Sequence, residues 1–292
     1  MADVQASSGC HTAGVQLLNI PVSPDLLLRW RGYLAPNQHH FFLTAAEAQA
    51  LELPTQPCDS VMLTPEQRDT YTTWQIPQEA DQIGMLSTTE FDALSSNIQR
   101  QMLALQVKHK RGNVPLGRHF RDFLPDLPAG RFLWRPEYIT PEVLSRIIAK
   151  GQRPCQRQQV PQAVWDAAAP VLPRVRDLAG TWPQGSAGNC FGAVMGAAGV
   201  VGAEHEWMQR EPFEAFLTER TKKGGQDADA GTILLWRSAD GLVQHAAVTL
   251  GGGWAFEKAS QTWMTPRTVL PTRELIAANR TEGWRLTRHT LR

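Results

Sequence analysis

The chain has 292 residues, 42% of them apolar, enough to bury one full core and, at roughly 100–200 residues per domain, two. Lys and Arg number 29 against 28 Asp and Glu, a formal charge of +1, so no global field selects nucleic acid or an anionic membrane as a partner, and neither is expected. Cys10, Cys58, Cys155 and Cys190 lie far apart without CxxC spacing, too sparse for a disulfide framework, and read as free thiols of a reducing compartment. The start MADVQASSGCHTAG lacks the basic residues and apolar core of a signal peptide, and no run approaches the ~18 apolar residues of a membrane span. A cytoplasmic location is expected, with signal-independent export compatible with the same sequence.

Residues 1 to about 40 carry Pro21, Pro24 and Pro36 and little periodicity, and no element is assigned there. Three helix starts follow: Thr44 before AAEAQALEL, Thr64-Pro65-Glu66, and the capping box Ser87-Thr88-Thr89-Glu90. The last opens a single helix in which Phe91, Leu94, Ile98, Met102 and Leu105 form one core-facing stripe, ending near Gly112. Thr140-Pro141-Glu142 starts the helix VLSRIIAK, which Gly151 ends in a left-handed conformation. The polar, proline-bracketed stretch GQRPCQRQQVP marks a domain boundary, giving a mainly helical N-terminal domain (1–155) and a C-terminal domain (156–292).

The C-terminal part opens with AVWDAAAPVLPRVRDLAG, a helix bent or broken at Pro170 or Pro173. The segment around Cys190, a helix near Pro212–Arg220, and the strands TILLWR, LVQHAAVTL and WAFEKAS complete it. The fold class is therefore α+β, with a cysteine-bearing helix packed on an antiparallel sheet.

A nucleophilic cysteine attacks as thiolate and needs a device that stabilises that form, commonly a helix N-terminus and an adjacent imidazolium. Gly185, Ser186, Gly188 and Asn189 form a loop that opens into FGAVMGAAGVV, which places Cys190 at the head of a helix. Gly192, Gly196 and Gly199 make that helix narrow enough for close approach to a sheet. The alternative role for Cys190 is a small apolar core residue. Gln184, six residues upstream, can donate its amide with the Cys190 N–H to an oxyanion, or lie solvated on the loop.

His245 follows Cys190 by 55 residues, on a strand whose alternation sets Val243, His245, Ala247 and Thr249 on one face. With Gly251, Gly252 and Gly253 as a three-residue loop, Ala259 falls opposite His245, and Glu257 and Gln261 occupy the two diagonals. A two-residue loop shifts the register by one and sends Glu257 to the far side. Either Glu257 or Gln261 can orient the imidazole. The other role for Glu257 is half of an exposed pair with Lys258.

These residues resemble the papain-like cysteine hydrolases over about residues 160–270, most closely the NlpC-type branch of cell-wall endopeptidases and amidases. LAGTWPQGSAGNCFGA, DAGTILLW, VQHAAVTLGGG and WAFEKAS stand where that branch has its cysteine, strand, histidine and third-residue segments. The resemblance implies Cys190 as nucleophile, His245 as general base and Glu257 as the orienting residue. QGSAGNCF is also similar to the papain-branch run, which implies Gln184 as oxyanion donor, and Gln261-Thr262-Trp263 is similar to that branch's orienting segment. Asn189, Phe191 and Thr181-Trp182 depart from the NlpC-type pattern, which loosens the cell-wall assignment more than the nucleophile.

The expected activity is hydrolysis of an amide or peptide bond, with no metal or organic cofactor; acyl transfer or deamidation at the same site, or a non-catalytic binding module, are the alternatives. The expected partner is a peptide or amide substrate, with a protein partner or dimer through the N-terminal half. The basic stretch Lys108–Arg121 reads as a solvated helix end rather than a phosphate grip, and Glu204, His205 and Glu206 lack the HExxH spacing of a zinc site.

Overall fold

The computed structural model describes residues 15–74 and 79–292; Cys10 lies outside them. The chain opens with a short hairpin, β1 (Gln16–Leu17) and β2 (Ile20–Pro21), then α1 (Pro24–Leu34). No element is assigned there from sequence, yet the signals are present. Ser23 caps α1, Pro24 sits at its first position, and Leu26, Trp30 and Leu34 bury one face at four-residue spacing. The next elements are β3 (His39–Leu43), α2 (Ala45–Ala50), β4 (Gln56–Pro57), α3 (Pro65–Thr70) and β5 (Gln82–Leu86). The three strands pair in the order β3-β5-β4, so the N-terminal half holds a small antiparallel sheet beside its helices.

The helix expected from Ser87 onward is two helices, α4 (Thr88–Ala93) and α5 (Ser96–Lys108). Leu94 is extended, Ser95 caps the second helix through the Ile98 N–H, and Gln99 Nε2 donates back to the carbonyls of Phe91, Asp92 and Leu94. The Ser95-Ser96 pair offers the backbone an alternative to a continuous helix, and the chain takes it. The apolar stripe survives the break: Phe91 and Met102 are buried in one cluster, with Leu94, Ile98 and Leu105 against it.

The basic stretch that follows is solvated at Lys108, Lys110, Arg118, His119 and Arg121, as expected of a helix end, while His109 and Arg111 are buried. Lys108 and His109 both bind Glu47, at 2.6 and 2.7 Å, and Arg111 is buried with its guanidinium 4.7 Å from the Phe42 ring. Next comes α6 (Pro141–Ala149), capped by Thr140, with Gly151 at φ +75° just beyond it.

In the C-terminal part, α7 (Gln162–Ala168) and α8 (Val175–Leu178) are separated across Pro170 and Pro173. They precede α9 (Cys190–Ala197), α10 (Arg210–Arg220), β6 (Thr221–Lys223), β7 (Ala230–Arg237), β8 (Val243–Gly251) and β9 (Trp254–Lys258). The chain closes with β10 (Arg267–Pro271), α11 (Thr272–Ala278) and β11 (Arg285–Leu291). These strands form one six-stranded antiparallel sheet in the order β10-β9-β8-β7-β11-β6, and α9 packs across β8 and β9. Helices and antiparallel sheets together make the chain α+β.

The largest apolar cluster runs through residues on both sides of the boundary expected at 155/156. Trp30 of α1 is fully buried, its ring 4.9 Å from Trp182 and 5.8 Å from Trp263. Trp30→Ala should therefore cost about 3–5 kcal/mol, the range for emptying an aromatic core site, and lower the midpoint of denaturant unfolding for both halves together. A melt in which only the N-terminal half loses stability would contradict the shared core.

Burial depresses the His39 imidazole on β3 to about 4, with His40 and Arg135 adding to the shift against a hydrogen bond at Trp134. The unfolded chain takes up this proton first, so the stability held above pH 6.5 is lost as pH falls toward 4, by about 3 kcal/mol in all. Thermal melts between these limits should show the slope, and His39→Phe should flatten it.

Candidate active site

The site begins at the head of α9. Asn189 is extended (φ −125°, ψ −174°) and caps the helix by accepting from the Gly192 N–H at 3.0 Å, while its Nδ2 donates to the Met208 carbonyl at 2.8 Å. Cys190 therefore occupies the first helical position, half-buried, where the leading amides of a helix have no partner inside it. The glycine stripe of α9 faces a different neighbour from the one expected. A Cβ on Gly192 would lie 2.1 Å from the Ala203 carbonyl oxygen, and one on Gly196 would lie 2.8 Å from Glu204 Oε2. The narrow face thus receives the returning segment Ala203–Glu206, not the sheet. Glu204 of that segment is committed to a two-pronged pair with Arg174, one contact measuring 3.0 Å, and its carbonyl accepts from Arg267.

The histidine comes from the hairpin β8–β9, whose register combines both turn geometries weighed from sequence. Gly251 pairs with Trp254 across a two-residue turn at Gly252 and Gly253, with φ of +58° and +84°, the left-handed pair that a type I′ turn requires. An irregularity between Thr249 and Gly251 then restores the shift, so Thr249 pairs with Ala255 and Val248 with Phe256. That is the register of the three-residue loop, and it keeps Glu257 on the histidine's face. On the other side of β8, Trp236 pairs with His245 but Arg237 pairs with Val243, leaving Gln244 as an extra residue. Val243 consequently joins Ala246, Val248 and Leu250 in the main core rather than sharing the His245 face.

His245 is 5% exposed and Glu257 is 2% exposed. His245 Nε2 lies 3.0 Å from Glu257 Oε2, and the Cys190 side chain is near enough to act on the ring electrostatically. Burial alone lowers an imidazole pKa. Here the Cys190 thiol and the Glu257 carboxylate outweigh burial, and the net pKa is raised well above the ordinary 6.5. The Trp236 ring covers the imidazole, centroid to centroid 5.2 Å.

Of the two diagonal candidates, Glu257 holds the ring. Gln261 lies beyond the end of β9, and its Nε2 is buried without a partner among the described residues. Glu257 and Lys258 are not an exposed pair: both are buried, on opposite faces of β9. Lys258 Nζ donates to the carbonyls of Ser260 and Thr262 at 2.5 and 3.0 Å, and burial first, then Arg267, brings its pKa down to about 7 against Asp69 and Cys190. Gln184 is exposed on the loop before Cys190, and among the described residues its side chain makes no hydrogen bond.

Two residues take roles that the sequence reading does not assign them. Asn279, at the C-terminal cap of α11, donates from Nδ2 to Glu257 Oε2 at 2.7 Å and so fixes the carboxylate from behind. Ser186 is fully buried in the loop before the cysteine and bonds two distant segments. Neither has a sequence signature, because each is defined by a contact across the fold. Comparison of the chain with protein-family models, with curated proteins and with solved structures finds no match.

Glu257→Gln keeps the hydrogen bond to the ring but removes the charge, so the His245 pKa should fall toward the ordinary range. The imidazolium is present below the raised pKa and lost as pH rises through it. The His245 ring-proton chemical shifts, followed by NMR as a function of pH, should reveal this change as a titration midpoint at lower pH in the variant.

Proposed function

We propose that the protein is a cysteine hydrolase of papain-like type that cleaves an amide or peptide bond, the C-terminal part supplying the catalytic residues. The observation that carries this reading is the buried His245–Glu257 pair at 3.0 Å, with the helix-head Cys190 side chain near enough to raise the ring's pKa. Cys190 attacks the carbonyl carbon as thiolate, its proton having passed to His245 Nδ1. The imidazolium then protonates the leaving amine, and water drawn through the same nitrogen releases the acyl group from sulfur. Glu257 fixes the ring's orientation and stabilises its charged form, and Asn279 fixes Glu257. The leading amides of α9 are the donors at hand for the oxyanion; Gln184 would have to turn in from solvent to join them.

An amide-directed thiol probe should label Cys190 at least about tenfold faster than Cys58 or Cys155, because only Cys190 is both half-exposed and paired with an imidazole. Cys190→Ala should abolish turnover of a cleaved peptide while preserving the circular dichroism spectrum. Equal labelling of the cysteines would overturn the assignment. Added amine that diverts the product from acid to amide would assign acyl transfer to the same site.

A further inference from the structure

The loop that delivers Cys190 is built by residues more than a hundred positions upstream. Ser186 N–H donates to Glu66 Oε1 of α3 at 2.8 Å, Ser186 Oγ accepts from the Trp263 N–H at 3.2 Å, and the Asp69 carboxylate of α3 lies near that hydroxyl. Asp69 also accepts from the Trp74 indole, and the Trp74 ring meets Trp207 edge-on at 4.8 Å. Trp207 lies next to Met208, whose carbonyl holds the Asn189 cap. Gly185 allows the approach of α3, since a Cβ there would lie 2.5 Å from Glu66 Oε1. The four residues from Ser186 to Asn189 are thus pinned from α3 at one end and from the Met208 turn at the other.

The geometry points to Glu66 as a positioning residue of the Cys190 site: it sets the loop that carries the thiol, so the N-terminal half is part of the site and not a detachable cap. The inference rests on the hydrolase reading for its meaning but predicts a property of the thiol itself. Misplacing a reacting group by about 1 Å can cost a hundredfold in rate, and a loop of small residues has no packing of its own to hold that tolerance. The hydrogen bond from Ser186 N–H to the Glu66 carboxylate and the one from Trp263 N–H to the Ser186 hydroxyl supply it.

The test is alkylation of the full-length protein by iodoacetamide, with the rate at Cys190 followed by peptide mass mapping across about pH 5 to 10. Glu66→Ala should slow Cys190 about tenfold near neutral pH and shift the midpoint of its pH profile, with Cys58 unchanged. Glu66→Gln keeps an acceptor oxygen for the Ser186 N–H and should restore the rate to within about threefold, a rescue that a purely structural contribution of charge would not give. Glu66→Asp, which keeps the charge on α3 but draws the acceptor back by one methylene from the Ser186 N–H, carries the same expectation and decides the matter if Glu66→Ala does not fold. A folded Glu66→Ala or Glu66→Asp protein with the wild-type rate and midpoint overturns the positioning role. A wild-type Cys190 that alkylates like Cys58 overturns instead the hydrolase reading.

Discussion

A buried carboxylate hydrogen-bonded to a buried imidazole is the constraint around which the C-terminal half is organised. Removing a charge from water costs several kcal/mol unless a partner and further hydrogen bonds compensate for it. The Glu257 carboxylate has two such partners on one oxygen, His245 Nε2 and Asn279 Nδ2. Each comes from a different element, so β8, β9 and the end of α11 must be correctly placed before the charge is tolerated. The Cys190 thiol at the head of α9 is near enough to the ring to act on its pKa.

The hairpin shows how narrowly this arrangement is specified. Three consecutive glycines permit either of two loop lengths, and the wrong register would turn Glu257 away from His245. The chain uses the tighter turn and compensates with an irregularity one residue earlier, which also increases the local twist. A second extra residue, Gln244, sits immediately beside His245 on the other neighbouring strand. The histidine is therefore flanked along β8 by two departures from regular pairing, a common device where a side chain must be aimed rather than merely buried.

The cysteine side is fixed by contacts of a different kind. The glycines at 185, 188, 192 and 196 each receive a neighbouring oxygen at a distance that a Cβ would obstruct. From sequence these residues suggest a helix laid against a sheet. In the structure they admit Glu66, the carbonyls of Ala203 and Glu204, and the Glu204 carboxylate. Sequence composition states that something approaches closely; it does not state what.

The elements with local signals were legible from the chain alone. Thr44, Thr64, Ser87 and Thr140 each cap the helix expected of them, the prolines at 170 and 173 separate two helices, and the alternating apolar runs at 232–237, 242–250 and 254–260 yield strands. Cys190 and His245 could be singled out for the same reason, since a glycine-loop-to-helix junction and a strand before a glycine turn are local patterns. Only the tertiary structure decided between Glu257 and Gln261, separated Leu94 from Ser95, and brought Asn279, Ser186 and Glu66 to the site. Those outcomes depend on pairing register and on hydrogen bonds between segments as much as 120 residues apart. Local propensity fixes where an element begins and ends, whereas the partner of a buried polar group is set by whichever distant atom the packed core brings within about 3 Å of it.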